Sequence, residues 1–61
     1  MQQEEAVSYI GKKVKILLTN NFHYSGVVLD VSEVSLILND KFDNRVVLRL
    51  EMISVLEGQN D

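Results

Sequence analysis

From Lys12 onward the apolar residues of this 61-residue chain recur at every second position, and polar breaks cut that alternation into five short pieces. A period of two is the period of a β-strand, whose side chains point to opposite faces in turn. Val14, Ile16 and Leu18 alternate with Lys13, Lys15 and Leu17, and Phe22, Tyr24, Gly26 and Val28 share one face of a second piece. Val34–Leu38 is a third, with Leu36 and Leu38 on one face, Val46–Leu50 a fourth and Ile53–Leu56 a fifth. Asn20-Asn21 suits the left-handed conformations of a tight hairpin. Ser32-Glu33 is a short break, Asn39–Asn44 a polar hairpin turn, and Glu51-Met52 a tight turn. A glycine inside a strand, here Gly26, marks a sharp bend or a close backbone approach. Val27, Leu29 and Val31 make the other face of that strand apolar too, as expected of a strongly bent strand that changes partners. Five short strands with tight connections favour a small bent barrel over a flat sheet.

Ahead of the strands, Gln2–Ile10 has helical spacing, with Gln3, Ala6, Val7 and Ile10 on one face. Glu4 and Glu5 lie in the first turns, where the helix dipole favours negative charge, and Gly11 is placed to stop the helix. A helix this short is marginal in water, so its apolar stripe must dock. The expected organisation is one mostly β domain over residues 1–61: a helix at about 2–10, a five-stranded SH3-like barrel at about 12–56, and a polar tail at 57–61.

Size sets the next constraint. A chain this short buries only about 60% of the surface its unfolded form exposes. It has no cysteine to staple it, and one histidine without cysteine makes no structural zinc site. Stability must come from an efficient core, from association with other chains, or from both. Val47, Leu50, Ile53 and Val55 leave the edge of the fourth and fifth strands apolar, and no proline guards it. Such edges pair with other chains, and a closed ring of protomers satisfies the edges and the size together.

Charge and motif content narrow the function. The net charge of −3 argues against a general duplex-DNA binder, which needs many cations; a narrow RNA site with one or two cations remains open. No run of ~18 apolar residues spans a membrane, and the start MQQEEAVSYIG lacks the basic and apolar regions of a secretory signal. The expectation is a cytoplasmic protein. His23 has no nucleophile partner for a triad, and Asn39, Asp40 and Asp43 lack the spacing of a calcium loop. The chain is read as a non-enzyme with no cofactor, no metal and no small-molecule substrate. Lys12, Lys13 and Lys15 form a basic cluster, either a solvated strand face or an outer RNA track.

Two stretches resemble a known family. Gly11-Lys12-x-Val14-x-Ile16-x-Leu18 followed by Phe22-x-Tyr24-x-Gly26-x-Val28 is similar to the first Sm motif, and Val47-Leu48-Arg49-Leu50-x-x-Ile53 to the second. The chain looks like an Sm-like (LSm) protein of archaeal or similar prokaryotic type, over Gly11 to about Leu56. The resemblance implies a helix capping a five-stranded bent barrel, and rings of protomers made by pairing the fourth strand with a neighbour's fifth. Val46, Val47, Leu48, Leu50, Ile53 and Val55 are the interface it points to. It also implies binding of U-rich single-stranded RNA around the pore.

The family's uridine pocket maps onto Ser32, Glu33, Ser35 and Arg49. Ser32 stands where the family has Asp, Ser35 where it has Asn, Glu33 near the stacking position, and Leu50 where it has Gly, in a loop one residue short. An Asn can donate to and accept from a base edge at once, whereas Ser35 offers a short hydroxyl. Arg49 in an apolar strand needs a partner: RNA, a neighbouring protomer's carboxylate, Asp30 or Glu51. Three readings follow: an RNA-associated ring scaffold, an Sm-fold oligomer without RNA binding that serves as a structural or protein-interaction module, and a monomeric SH3-like module.

Overall fold

Every second residue of the strands is turned inward, and the resulting core is almost wholly aliphatic. The computed structural model describes residues 1–59. Its elements run α1 (Gln3–Val7), β1 (Lys13–Leu18), β2 (His23–Val31), β3 (Ser35–Asp40), β4 (Arg45–Arg49), a 3-10 turn (Leu50–Met52) and β5 (Ile53–Gly58). All strand pairings are antiparallel, in the order β4-β3-β2-β1-β5, so the bent sheet is open, with β4 and β5 as its two edges. Val14, Ile16, Val28, Leu36 and Leu38 are fully buried, and Ala6, Leu18, Leu48, Leu50 and Ile53 complete the core.

The bend in β2 has a steric cause. Gly26 stands opposite Asp40 in the ladder, and a Cβ on it would collide with the main-chain carbonyl of Asn39. Only a residue without a side chain lets β3 cross so close. Two residues further on the register shifts between Val28 and Asp30, leaving Leu29 as the extra residue of a bulge. A bulge reverses the inward parity, which is why Val28 and Val31 both turn toward the core while Val27 and Leu29 are exposed. The mixed pattern of this strand in the sequence is the trace of that bulge.

Asparagine and aspartate close the hairpins. Asn21 has a φ of 70° and Asp43 a φ of 64°, a left-handed conformation that these residues tolerate better than most. Asn20 Oδ1 accepts from the Phe22 N–H at 3.1 Å. In the β3–β4 turn Asp40 Oδ1 accepts from the N–H groups of Phe42 and Asn44, both at 2.9 Å. Phe22 itself lies before β2 and is exposed.

The ends depart from the expected limits. The helix spans five residues rather than Gln2–Ile10. After Val7 the bonds tighten to the i→i+3 kind, Tyr9 N–H to Ala6 and Ile10 N–H to Val7. Ile10 then bridges Val28, and the Gly11 N–H donates to the Val28 carbonyl at 2.7 Å. Gly11, with a φ of +83°, turns the chain into β1; a longer helix would carry Ile10 off the sheet. Of the expected apolar stripe only Ala6 is buried, while Val7 and Ile10 are exposed. The third strand starts one residue later than expected and continues to Asp40. The fifth reaches Gly58, which pairs with Val14, and the Gln59 N–H donates to Lys13. The tail expected from residue 57 is therefore sheet through Gly58, and Asn60 and Asp61 lie outside the described residues. Among the described residues no helix is long and apolar enough to cross a membrane.

Substituting Gly26 with Ala is expected to cost roughly 1–3 kcal/mol, the range of overpacking, since the added Cβ meets main chain rather than a flexible side chain. A drop in the urea midpoint at fixed protein concentration would register it; a midpoint equal to the parent's would mean that the sheet is less tightly bent than described.

Candidate nucleic-acid interface

The residues singled out from the sequence meet at one end of the sheet, where the β2–β3 turn faces the end of β4. Ser32 builds that turn. Its hydroxyl oxygen accepts from the N–H groups of Ser35 at 3.0 Å and Val34 at 3.3 Å, and its own N–H donates to the Ser35 carbonyl at 2.8 Å. Serine is favoured in such turns because its short side chain can stand in for a main-chain acceptor. The hydroxyl is therefore committed to the loop.

Ser35 and Arg49 are cross-strand partners. The Leu50 N–H donates to the Val34 carbonyl at 2.8 Å, so the bonded pairs of this ladder fall at 34/50, 36/48 and 38/46. Ser35 and Arg49 then form a non-bonded pair, the kind whose side chains approach most closely. Of the partners considered for Arg49, the structure shows Glu51: Arg49 Nε donates to Glu51 Oε1 at 3.0 Å, with the two side chains 65% and 70% exposed. Exposed pairs of this kind are worth about 0–1 kcal/mol, so the guanidinium is readily given to a stronger anion. Glu33, Val34, Arg49, Leu50 and Glu51, together with Met1, line a shallow groove here. The Glu33 and Glu51 carboxylates face the Arg49 guanidinium and the Met1 ammonium, which donates to the Leu50 carbonyl at 3.0 Å, so the groove carries no net excess of either sign. Leu50, at the position where the Sm motif has glycine, points into the core.

The edge residues divide into two groups. Leu48, Leu50 and Ile53, expected at an interface, are buried in the protomer's own core, because they occupy the inward positions. Val46 is half-buried against that core. The side chains left outside are Val47, 61% exposed, and Val55, 42% exposed. The main chain supplies the rest. With 46 and 48 bonded to β3, the N–H and C=O groups of Arg45, Val47 and Arg49 point to the open side of β4. In β5 the Gln59 N–H bonds Lys13, so in the same register 57 and 55 bond β1 and the free groups belong to Leu56 and Gly58.

By sequence, Asn39–Asn44 is a polar hairpin turn. The turn chemistry holds, but the structure also lifts Phe42 into solvent at its tip, with Lys41 Nζ 5.3 Å from the ring centroid. The available signal was one aromatic in an otherwise polar turn.

This arrangement of a short helix, a five-stranded antiparallel sheet bent at a glycine, and open β4 and β5 edges is the Sm fold. Among solved structures the chain is similar to one described as the pleiotropic translational regulator Hfq, with a TM-score of 0.76 over 88% of this chain and 93% of that one. Sequence identity between the two is 19%, so the likeness is one of fold. No protein-family profile matches the chain, and no curated protein matches it.

Replacing Arg49 with Ala is expected to change the stability of the fold by less than about 0.5 kcal/mol, since an exposed ion pair contributes little. A loss above about 1 kcal/mol in chemical denaturation, the upper end for such pairs, would show that Arg49 is structural.

Proposed function

We propose that the chain is a non-enzymatic, cytoplasmic, ring-forming scaffold that binds single-stranded, U-rich RNA through Ser35 and Arg49 at the pore. The observation that carries this reading is the pair of open sheet edges in a 61-residue chain with a ten-residue core. Unpaired edges bearing exposed valines are a liability that a second copy removes. In an all-antiparallel sheet of five, β4 and β5 run in the same direction. Antiparallel pairing of β4 with a neighbour's β5 therefore turns the neighbour's sheet over. Val47, on the outer face, then comes to the side of the neighbour's half-buried Leu56, and Val55 of the neighbour to the side of Leu48. Each exposed valine gains an apolar cover, and the free main-chain groups of Arg45, Val47 and Arg49 meet those of Leu56 and Gly58. Repetition around a ring lets weak contacts at each Arg49 sum by avidity along one strand. The fold shared with a translational regulator supports the choice of RNA.

Light scattering coupled to size exclusion is expected to give a mass that is a multiple of the 7.0 kDa protomer. Val47→Lys is expected to shift it toward the protomer. A folded particle of protomer mass at micromolar concentration rejects the ring. Arg49→Ala is expected to weaken oligo-uridine binding roughly tenfold, the effect of losing a charge-assisted hydrogen bond, with no change in mass. Equal titrations of variant and parent remove Arg49 from the site.

A second reading is favoured by the commitment of Ser32 to its turn and of Arg49 to Glu51: an Sm-fold oligomer without RNA binding at the pore, serving as a structural or protein-interaction module. It prevails if the assembled protein ignores oligo-uridine at low salt.

A further inference from the structure

We propose that the outer face of the sheet at the β3–β4 hairpin is a binding track for single-stranded nucleic acid, with Phe42 as the stacking platform. It stands apart from the Arg49 groove and does not rest on it.

Charge is segregated along the sheet. Five of the six Lys and Arg residues, Lys12, Lys13, Lys15, Lys41 and Arg45, lie at the hairpin end, and only Arg49 lies at the other. The register sets out a row across four strands: Arg45 opposite Asn39, Asn39 opposite Val27, Val27 opposite Lys13. A second row places Ser25 opposite Lys15 and Lys15 opposite Glu57. These residues all occupy outward positions, in alternation with the buried ones. Strands lie about 4.8 Å apart, so the first row measures about 14 Å along the sheet. Among the described residues the carboxylates at this end are Asp40, Asp43 and Glu57, fewer than the five cations, on a chain whose overall charge is −3. Asp40 is further tied up by the two turn N–H groups and Asp43 by the Asn39 amide at 3.2 Å.

The aromatic is held rigidly at the edge of that patch. Phe42 is 73% exposed, and its main chain is fixed by Asp40, by the Asp43 N–H donating to the Asp40 carbonyl at 3.0 Å, and by the left-handed turn at Asp43. With Lys41 Nζ near it, 5.3 Å from the centroid, a ring displayed on this tightly bonded turn contributes nothing to the core. A base can stack on its open face, while the neighbouring cations follow the phosphates; basic grooves with aromatic platforms bind single strands in this way, largely regardless of sequence. An acidic protein segment fits the charge but leaves the planar ring without a planar partner. A duplex satisfies the cations but hides its bases.

The test is a fluorescence-anisotropy titration of the full chain with a labelled single-stranded RNA of mixed sequence, about 12 nucleotides long to match such binding sites, between about 50 and 200 mM salt. Phe42→Ala is expected to weaken binding about 5- to 100-fold, the range for loss of one base–aromatic stack, and Phe42→Trp to retain it. The double variant Lys41→Glu with Arg45→Glu is expected to weaken binding at least tenfold and to flatten the salt dependence, by a slope of roughly 0.7 for each phosphate no longer neutralised. All of these side chains are exposed or lie in the turn, so circular dichroism is expected to match the parent. Arg49→Ala, run in parallel, separates the two sites: weakening there with hairpin variants unchanged overturns this proposal and leaves the pore reading standing. The proposal also falls if the parent fails to bind at the low-salt end, if the same RNA as a duplex binds as well as the single strand, or if a glutamate-rich peptide binds in place of RNA.

Discussion

The passage of the Asn39 main chain over the bare α-carbon of Gly26 is the contact on which the architecture depends. It lets β2 belong to two parts of the sheet, pairing with β1 through its first half and with β3 through the rest. The Leu29 bulge just beyond completes the change of direction and resets which side chains face inward. Without that crossing, the inward faces of β1 and β3 could not close over the same ten residues, and a chain this small has no second core to fall back on.

The same bend leaves β4 and β5 as free edges and decides what they display. Most of the apolar side chains near the edges are used internally, so what remains outside is main-chain hydrogen-bonding capacity and two valines. That combination suits strand addition better than burial of a broad apolar face.

Charge follows the strand ends. Glu33, Glu51 and the Met1 ammonium surround Arg49 at one end, and the lysines with Arg45 gather beside Phe42 at the other. An overall charge of −3 conceals this, because the sign alternates in space rather than along the chain. The two ends thus offer different chemistry to an anion: a single guanidinium already weakly paired, and a spread of cations next to an exposed ring.

Period, turn residues and the interior glycine were enough to read five strands following a helix and the bend in the second, since each is a local preference expressed within a few residues. The Asn20-Asn21 and Asp40–Asn44 turns follow from side chains that bond their own backbone. Other features depended on partners distant in the chain. The helix is short because Ile10 is claimed by Val28. Leu48 turns inward because it pairs with buried Leu36 and Ile53 because it pairs with buried Leu18, and Arg49 meets Glu51 because the 3-10 turn brings the two together. The gathering of Lys13, Lys41 and Arg45 into one patch required the pairing of β1 with β2, of β2 with β3 and of β3 with β4. Alternation along a strand is written residue by residue, whereas neighbours across strands are set only when the backbones pair, and there the tertiary structure decided.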